Sequence, residues 1–368
     1  MLYICPKSAY SGLSMTSLYI RCLIRSASIT GKLLVLTETM LYIQAFYAIF
    51  FFTQVLIAPN EAESRRPIWN IAHMVNALHQ IDYYLDMGAN GLEFDISFSP
   101  EGKALYTFHG IPCDCFRSCL HYENFITYLQ YLQRLTTPGG STFRKNCMLL
   151  MDFKVRGLSS AALTNAGEDV AMKMLDYYWL RGKSNQTQAY IVVSLPSTAH
   201  VEVMKSFLRT LQNQNASEYI PRIGLDFSGN EDLHIILDCL ERSGYLEKYW
   251  LGDGITNCLG RSTKRLLSAL NKRDEHEKQV SKVYWWTVDR QSTMRRVIRL
   301  GVDGMITNYP ENLFKVLKED PFRHYARLAT LEDSPWKKHV LTTEMSNSFR
   351  DENSTFYEKM VTEEILYN

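Results

Sequence analysis

The chain has 368 residues and nearly balanced charge, with 40 basic against 39 acidic side chains. That balance argues against a nucleic-acid partner, for which a basic domain would be expected. With 46% hydrophobic residues and no low-complexity tract, a large ordered core is expected, and the length suits one α/β barrel as well as two smaller domains.

Residues 1–64 stand apart as an N-terminal extension. Within them, 40–58 (MLYIQAFYAIFFFTQVLIA) is an apolar run without charge, long enough to span a membrane. Upstream, Lys7, Arg21, Arg25 and Lys32 face only Glu38, and the small residues Ala58, Ala62 and Ser64 follow. These features fit a cleaved secretory signal, the favoured reading, or an uncleaved signal anchor with a basic cytoplasmic tail. Either route delivers residues 65–368 to an oxidising compartment, so the protein is expected to be secreted, or less readily membrane-anchored through 40–58. Cys5 and Cys22 precede the run; Cys113, Cys115, Cys119, Cys147, Cys239 and Cys258 follow it. The C-x-C-x-x-x-C cluster reads as disulfide staples, and zinc is disfavoured because the C-x-x-C knuckle spacing is lacking. Glycosylation triplets at Asn185, Asn215 and Asn353 fit a secretory route.

From Pro67 onward, short apolar runs alternate with helical patterns. Strands are expected at 68–73, 91–97, 148–154, 189–195, 222–227, 248–252, 283–288 and 304–307, with a hairpin-like insert at 104–108. Helical spacing runs through 75–88, where Val75, Leu78, Ile81 and Leu85 share a face and Gly88 ends the pattern. It recurs in 124–135, 169–180, 201–211, 232–244, 263–273, 292–301 and 312–319. Strands that alternate with helices predict a single (β/α)8 TIM barrel over 65–336. An open doubly wound sheet is disfavoured because no G-x-G-x-x-G follows the first strand. Residues 337–368 are polar and are expected to form a flexible tail.

In such a barrel the chemistry gathers at the carboxyl ends of the strands. His73, Asp95, Asp152 with Lys154, Asp226, Asp253, Asp289 and Asn308 all fall there. In GLEFDISF, Glu93 and Asp95 are separated by one residue and project from one face. Side by side they repel and lose hydration, so a hard cation with oxygen ligands is the simplest partner. The plainer alternative is a half-buried strand whose acids face water; convergence from separate strands favours the cation. Asp152 and Lys154 repeat the spacing, either as a simple salt bridge or as a third carboxylate ligand beside a phosphate-binding lysine. Glu93, Asp95 and Asp152 make an all-oxygen site suited to one Mg2+ ion. His73 and His109 flank these acids and are of the type best placed for proton transfer. The runs Tyr177-Tyr178-Trp179 and Tyr284-Trp285-Trp286 read as core, except that Trp286 shares its alternation with Tyr284 and Val288 and is expected to face the mouth.

The segments RRPIWNIAHMVNALHQID, GANGLEFDISF, FHGIPCDC, LDFSGN, DGITNCL, VYWWTVD and GVDGMITNYP resemble the sphingomyelinase D / phospholipase D toxins of spider venoms and their arachnid relatives, a family related to glycerophosphodiester phosphodiesterases. The resemblance extends from Arg65 to Trp336. It implies one Mg2+ held by Glu93, Asp95 and Asp152, catalytic His73 and His109, a phosphate-contacting Lys154 and a mouth Trp286. Asp226, Asp289 and Asn308 match further positions of the substrate site. It also implies a Cys113–Cys119 disulfide and, as in one subclass, Cys115–Cys258, leaving Cys147 and Cys239 unassigned. The tail Leu328–Trp336 (LATLEDSPW) resembles one that plugs the barrel bottom. Trp285 stands where the family has a second tyrosine, and Phe116 where it has a small residue.

The implied activity is head-group release from sphingomyelin and lysophospholipids at a membrane surface by a secreted monomer. The substrate's own hydroxyl would displace choline or ethanolamine and leave a cyclic phosphate. One rival is a glycerophosphodiester phosphodiesterase, attacking with the glycerol hydroxyl of a water-soluble diester. The other is a catalytically silent lipid-binding protein. Phe116, Trp285 and Trp286, expected near the mouth, lean toward lipid; the intact histidines and carboxylates argue against silence.

Overall fold

The chain divides after Ser64 into Met1–Ser64 and Arg65–Asn368. The structure, a computed structural model, describes residues 65–339 except 141–143, 145–147, 183–188, 244–247 and 276–279, and upstream of these Gln44 alone. The apolar run 40–58 apart from Gln44, the tail beyond residue 339, Cys147, Asn185 and Asn353 therefore lie outside the described residues. Among the described residues no helix is long and apolar enough to cross a membrane.

The strands are β1 (Arg66–Ala72), β2 (Gly91–Phe98), β3 (Ala104–Phe108), β4 (Tyr122–Asn124), β5 (Met148–Lys154), β6 (Tyr190–Leu195), β7 (Ile223–Phe227), β8 (Tyr249–Gly254), β9 (Val280–Trp286), β10 (Gly304–Thr307) and β11 (Ala326–Leu328). β1, β2 and β5 to β10 pair in parallel, and the β1–β2 and β1–β10 ladders close them into a barrel. The helices are α1 (Leu78–Asp86), α2 (Phe125–Thr136), α3 (Ser160–Lys173), α4 (Val201–Asn213), α5 (Leu233–Ser243), α6 (Lys264–Asp274), α7 (Gln291–Leu300), α8 (Pro310–Val316) and α9 (Phe322–Tyr325). The expected (β/α)8 barrel is the observed fold.

Side chains alternate across this sheet and so build two cores. Leu92, Phe94 and Ile96 of β2, with Leu149, Met151 and Phe153 of β5, point outward to the helix layer. Trp69, Ile71, Leu150, Val192, Trp250, Tyr284 and Ile306 fill the barrel interior. The same alternation that buries the outward apolar set turns Glu93, Asp95, Asp152 and Lys154 inward.

Three boundaries depart from the periodic pattern. The first helix starts at Leu78, not 75; Val75 is buried in the outer core, but its backbone N–H bonds Glu93 O, so residues 74–77 form a loop tied to β2. The helix read at 169–180 starts at Ser160, because Ser159 caps it through Ala162 N, and it ends in a π-turn over Met174–Tyr178. The eighth barrel strand is followed by a helix that starts at Pro310, a residue suited to a first helical position.

The expected plug is present. β11 adds to β1 in parallel, Arg327 pairs with Asp333 through its two terminal guanidinium nitrogens, and the chain turns so that Ala329, Leu331 and Trp336 join the interior core. Trp336 Nε1 donates to Pro221 O at 3.0 Å, and Trp250 Nε1 donates to Pro335 O at 3.1 Å. A β-carbon at Gly224 would overlap the Trp336 ring, so this close approach needs glycine. Gly224→Ala is therefore expected to lower stability by about 1–3 kcal/mol through overpacking, read as a fall in thermal midpoint, with the far end of the barrel unaffected.

At the same end, four charged groups are buried together: Arg66, Arg273, Lys282 and Asp303 are each at most 5% exposed. Asp303 accepts from Arg273 at 2.6 Å and lies 3.6 Å from Lys282 Nζ, which sits 5.0 Å from the Trp69 ring centre. Arg66 donates from its two terminal nitrogens to the Val302 and Ile298 carbonyls at 2.7 and 2.8 Å.

Candidate active site

A cavity of about 580 Å3 opens at the carboxyl ends of the strands. It is lined by His73, Glu93, Asp95, His109, Asp152, Lys154 and Trp286, and also by Arg156, Ser194, Ser228, Asn230 and Tyr284. The β2–β5 register sets Asp95 directly beside Asp152, and Ser97 beside Lys154. Carboxylate oxygens of Glu93, Asp95 and Asp152 all lie within 4.8 Å of one another.

Each acid is held. Met74, at a left-handed φ of 50°, turns its N–H onto Glu93 Oε2 at 2.6 Å. Asn76 Nδ2 donates to Asp95 Oδ2 at 2.6 Å, while Asp95 N donates to Asn76 Oδ1 at 2.9 Å. Lys154 Nζ sits 2.6 Å from Asp152 Oδ2 and 2.7 Å from Asp95 Oδ1, so one ammonium bridges two of the acids. One lysine does not balance three acids. Burial and then Asp95 push the Glu93 carboxyl well above the usual range, whereas Asp95, despite burial, is drawn down by Lys154 and His109. Three converging carboxylates with one lysine between them, one acid strained toward protonation, fit a hard cation. This triad can hold a metal ion.

His73 follows β1, and its Nδ1 lies 3.0 Å from Asp114 Oδ2 and 3.2 Å from Asn308 Oδ1. Burial opposes charge on the ring, but the hydrogen bond to Asp114 and the nearby Glu93 and Asp95 outweigh it and raise the pKa. Asp114 is itself held well below the usual carboxylate range: burial works against this, and His73, Thr256 and Asn308 prevail. The β2–β3 hairpin carries the chain above the rim, so that His109, directly after β3, stands opposite His73 with ring centres 6.5 Å apart. His109 Nδ1 donates to Gly110 O at 2.6 Å, which leaves Nε2 as the acceptor of the neutral ring.

The disulfides are Cys113–Cys119 and Cys115–Cys258; Cys239 is free and buried. The second ties the His109 loop to the loop after β8, and Asn257 reinforces it by bonding both the N–H and the carbonyl of Cys115 at 3.0 Å.

Several residues expected at the site do not reach the cavity. Asp226 is 0% exposed and accepts from Tyr284 OH at 2.8 Å, Ser194 Oγ at 2.9 Å and Gly252 N at 3.2 Å. Strands tilt against a barrel axis, so the paired row Asp95, Asp152, Ser194, Asp226 shifts along the axis and leaves Asp226 behind the cavity lining. It supports Tyr284 and Ser194, which do line the cavity, and burial pushes its carboxyl up to about 7. Asp289 and Asn308 form a buttress. Asp289 accepts from Asn308 N at 2.8 Å and Asn308 Nδ2 at 3.0 Å, and Asn308 reaches His73. Asp253 points outward, to Arg261 at 2.8 Å and Arg265 at 3.2 Å. Trp285 and Val288 belong to the outer core, so neither faces the mouth. The sequence pattern does not reveal Asp114, Asn76 and Arg156 as site residues. Asp114 lies inside the HGIPCDC segment, where the cysteines dominate the pattern; Asn76 sits in a stretch whose spacing mimics a helix.

Fold and site together define a barrel enzyme with paired histidines beside a carboxylate cluster. The dermonecrotic toxin family (SPH) matches residues 63–336. A dermonecrotic toxin of Sicarius terrosus, StSicTox-betaIB1i, is 52% identical over 279 residues, covering 75% of this chain and 100% of the toxin. LiSicTox-betaID1 of Loxosceles intermedia is 48% identical over 280 residues, covering 76% of this chain and 91% of the toxin. The chain belongs to the dermonecrotic toxin family. Among solved structures, it is similar to a glycerophosphodiester phosphodiesterase of Parabacteroides distasonis, at 16% identity and TM-score 0.47, covering 68% of this chain and 98% of the other. One from Thermotoga maritima stands at 12% identity and TM-score 0.40, covering 67% and 98%.

Proposed function

We propose that this protein is a secreted, Mg2+-dependent phospholipase D-type phosphorus–oxygen lyase. It releases choline or ethanolamine from sphingomyelin and lysophospholipids and leaves a cyclic phosphate. The observation that carries this reading is His73 and His109, ring centres 6.5 Å apart, sharing one cavity with Glu93, Asp95, Asp152 and Lys154 in a chain of this family.

A single Mg2+ bound by Glu93, Asp95 and Asp152 would supply positive charge to the phosphodiester oxygens. Lys154 adds a second positive contact to the same group. His109 Nε2 accepts the proton of the substrate hydroxyl as that oxygen bonds to phosphorus. The bond from phosphorus to the head-group oxygen breaks, and His73, kept protonated by Asp114, donates to it. Asp289 and Asn308 hold His73 in place. Trp286 offers an aromatic face to the cationic head group. The mouth supports a lipid substrate: Ile111 and Phe116 on the His109 loop, Leu259 beside Cys258 and Tyr309 beside Asn308 are 83%, 101%, 60% and 43% exposed. Two disulfides in the described residues support an extracellular site of action.

Phosphorus NMR of sphingomyelin and lysophosphatidylcholine incubated with the protein tests this. A cyclic phosphate signal is expected that EDTA abolishes and added Mg2+ restores. A linear phosphomonoester would replace cyclisation with hydrolysis by water. Turnover of glycerophosphocholine with none of either lipid would overturn the lipid reading.

A further inference from the structure

A second cavity, of about 470 Å3, lies on the same rim of the barrel between the loop after β8 and the start of α7. It is separate from the catalytic cavity: Trp286 lines one and its neighbour Trp285 the other. The catalytic mechanism makes no use of it. Its lining sets three arginines, Arg261, Arg290 and Arg296, against one acid, Asp289, with the hydroxyls of Ser292 and Thr293 beside them.

Three observations converge on this cavity. α7 has no side-chain cap at its N-terminus and no acidic residue in its first turn, and Arg290, Ser292 and Thr293 at its start line the cavity. Thr287 lines the cavity, is 6% exposed, and its hydroxyl has no hydrogen-bond partner. A buried hydroxyl left unpaired costs free energy unless a ligand meets it. Arg296 Nε likewise has no partner among the described residues. Two acids offset part of this field and leave Arg290 and Arg296 in excess, neither in an ion pair among the described residues: Asp289 lines the cavity and Asp253 pairs with Arg261. Asp253 meets Arg261 and Arg265 through Oδ1, and both oxygens of Asp289 accept bonds from Asn257, Thr307 and Asn308, which fixes where its charge sits.

We propose that this cavity is a second phosphate-binding site, taking the oxyanion of a phosphate group on the start of α7, Thr287, Arg290 and Arg296. Two sources share that chemistry, a free phosphate and the phosphate of an anionic lipid head group on the bilayer that the exposed Leu259 would touch.

Indole NMR separates the two cavities, because Trp285 reports one and Trp286 the other among the 6 tryptophans of the chain. The protein, labelled with 15N-tryptophan and kept in EDTA, is titrated with inorganic phosphate at constant ionic strength. A parallel titration uses phosphatidylglycerol nanodiscs. Resonances are assigned with Trp285→Phe and Trp286→Phe. A saturable shift of the Trp285 signal is expected. It should weaken about fivefold in Thr287→Val, which removes the hydroxyl and keeps the charge, and about tenfold in Arg296→Ala. A response to inorganic phosphate makes the free ion sufficient; a response to the nanodiscs alone assigns the site to a lipid head group. A Trp285 signal that stays still in both titrations overturns the proposal. So does one that moves equally with chloride, or unchanged in both variants.

Discussion

His73→Ala and His109→Ala are each expected to lower head-group release by roughly 10^2–10^4-fold, the range for loss of a positioned acid or base. The two variants differ in what else they disturb. His109 bonds only the neighbouring Gly110 carbonyl, so its removal should leave the thermal midpoint near that of the parent. His73 is the partner of Asp114 and Asn308, and its loss takes the cationic partner from a largely buried carboxylate that keeps only Thr256 and Asn308, at a cost of about 1–3 kcal/mol. Circular dichroism therefore has to accompany the assay. Asp114→Asn separates positioning from chemistry. Asp114 raises the His73 pKa, so removing its charge lowers that pKa. The limb of the pH–rate profile on which His73 deprotonates should move to lower pH, with the fold intact. A profile that does not move would show that Asp114 does not tune His73, and unchanged turnover in His73→Ala would remove the paired-histidine mechanism.

Asp303→Asn is expected to destabilise the barrel by about 3–5 kcal/mol, roughly 6–20 °C in thermal midpoint, because it leaves buried Arg66, Arg273 and Lys282 without their central counter-charge. The sign with pH is fixed. Burial alone would raise the Asp303 pKa, but Arg273, Lys282 and Arg66 bring it below the unfolded value. Its contribution is therefore complete above the unfolded carboxylate pKa and is lost as pH falls through the folded one. Parent and variant should converge in stability on the acid side of that window. The cluster lies at the opposite end of the barrel from the catalytic cavity, so turnover of the folded variant at low temperature should match the parent. A gap that persists at acid pH would show that packing, not charge, is what Asp303 supplies.

The site is legible in the sequence where chemistry follows strand parity. Glu93 and Asp95 share a face because strand side chains repeat every second residue, and Asp152 and Lys154 obey the same rule, so each pair can be read from spacing, while the β2–β5 ladder brings the two pairs together. Parity fails where a strand ends or where depth matters. Val288 lies past the end of β9 and turns outward. Trp285, counted among the aromatics near the mouth, faces the helices, and its alternation with Trp286 already contained that answer. Asp226 has the right parity and lies behind the cavity lining, since parity sets a direction and says nothing of the height that strand tilt imposes. The helix expected to begin at Val75 shows the same limit in another form: apolar spacing cannot tell a helical turn from a loop whose N–H groups are claimed by Glu93.

From the residues alone came the barrel, the family, the carboxylate triad and the two histidines, because each depends on local periodicity or on short motifs. Only folding decided that Asp114 orients His73, that Asn76 and Met74 fix the acids, that Asp226 supports and does not contact, and that Asp253 serves the outer layer. It also set an arginine-lined cavity beside the catalytic one, joining residues from the loop after β8, the end of β9 and the start of α7. These depend on distances between segments far apart in the chain, which closure of the barrel sets and no local pattern encodes.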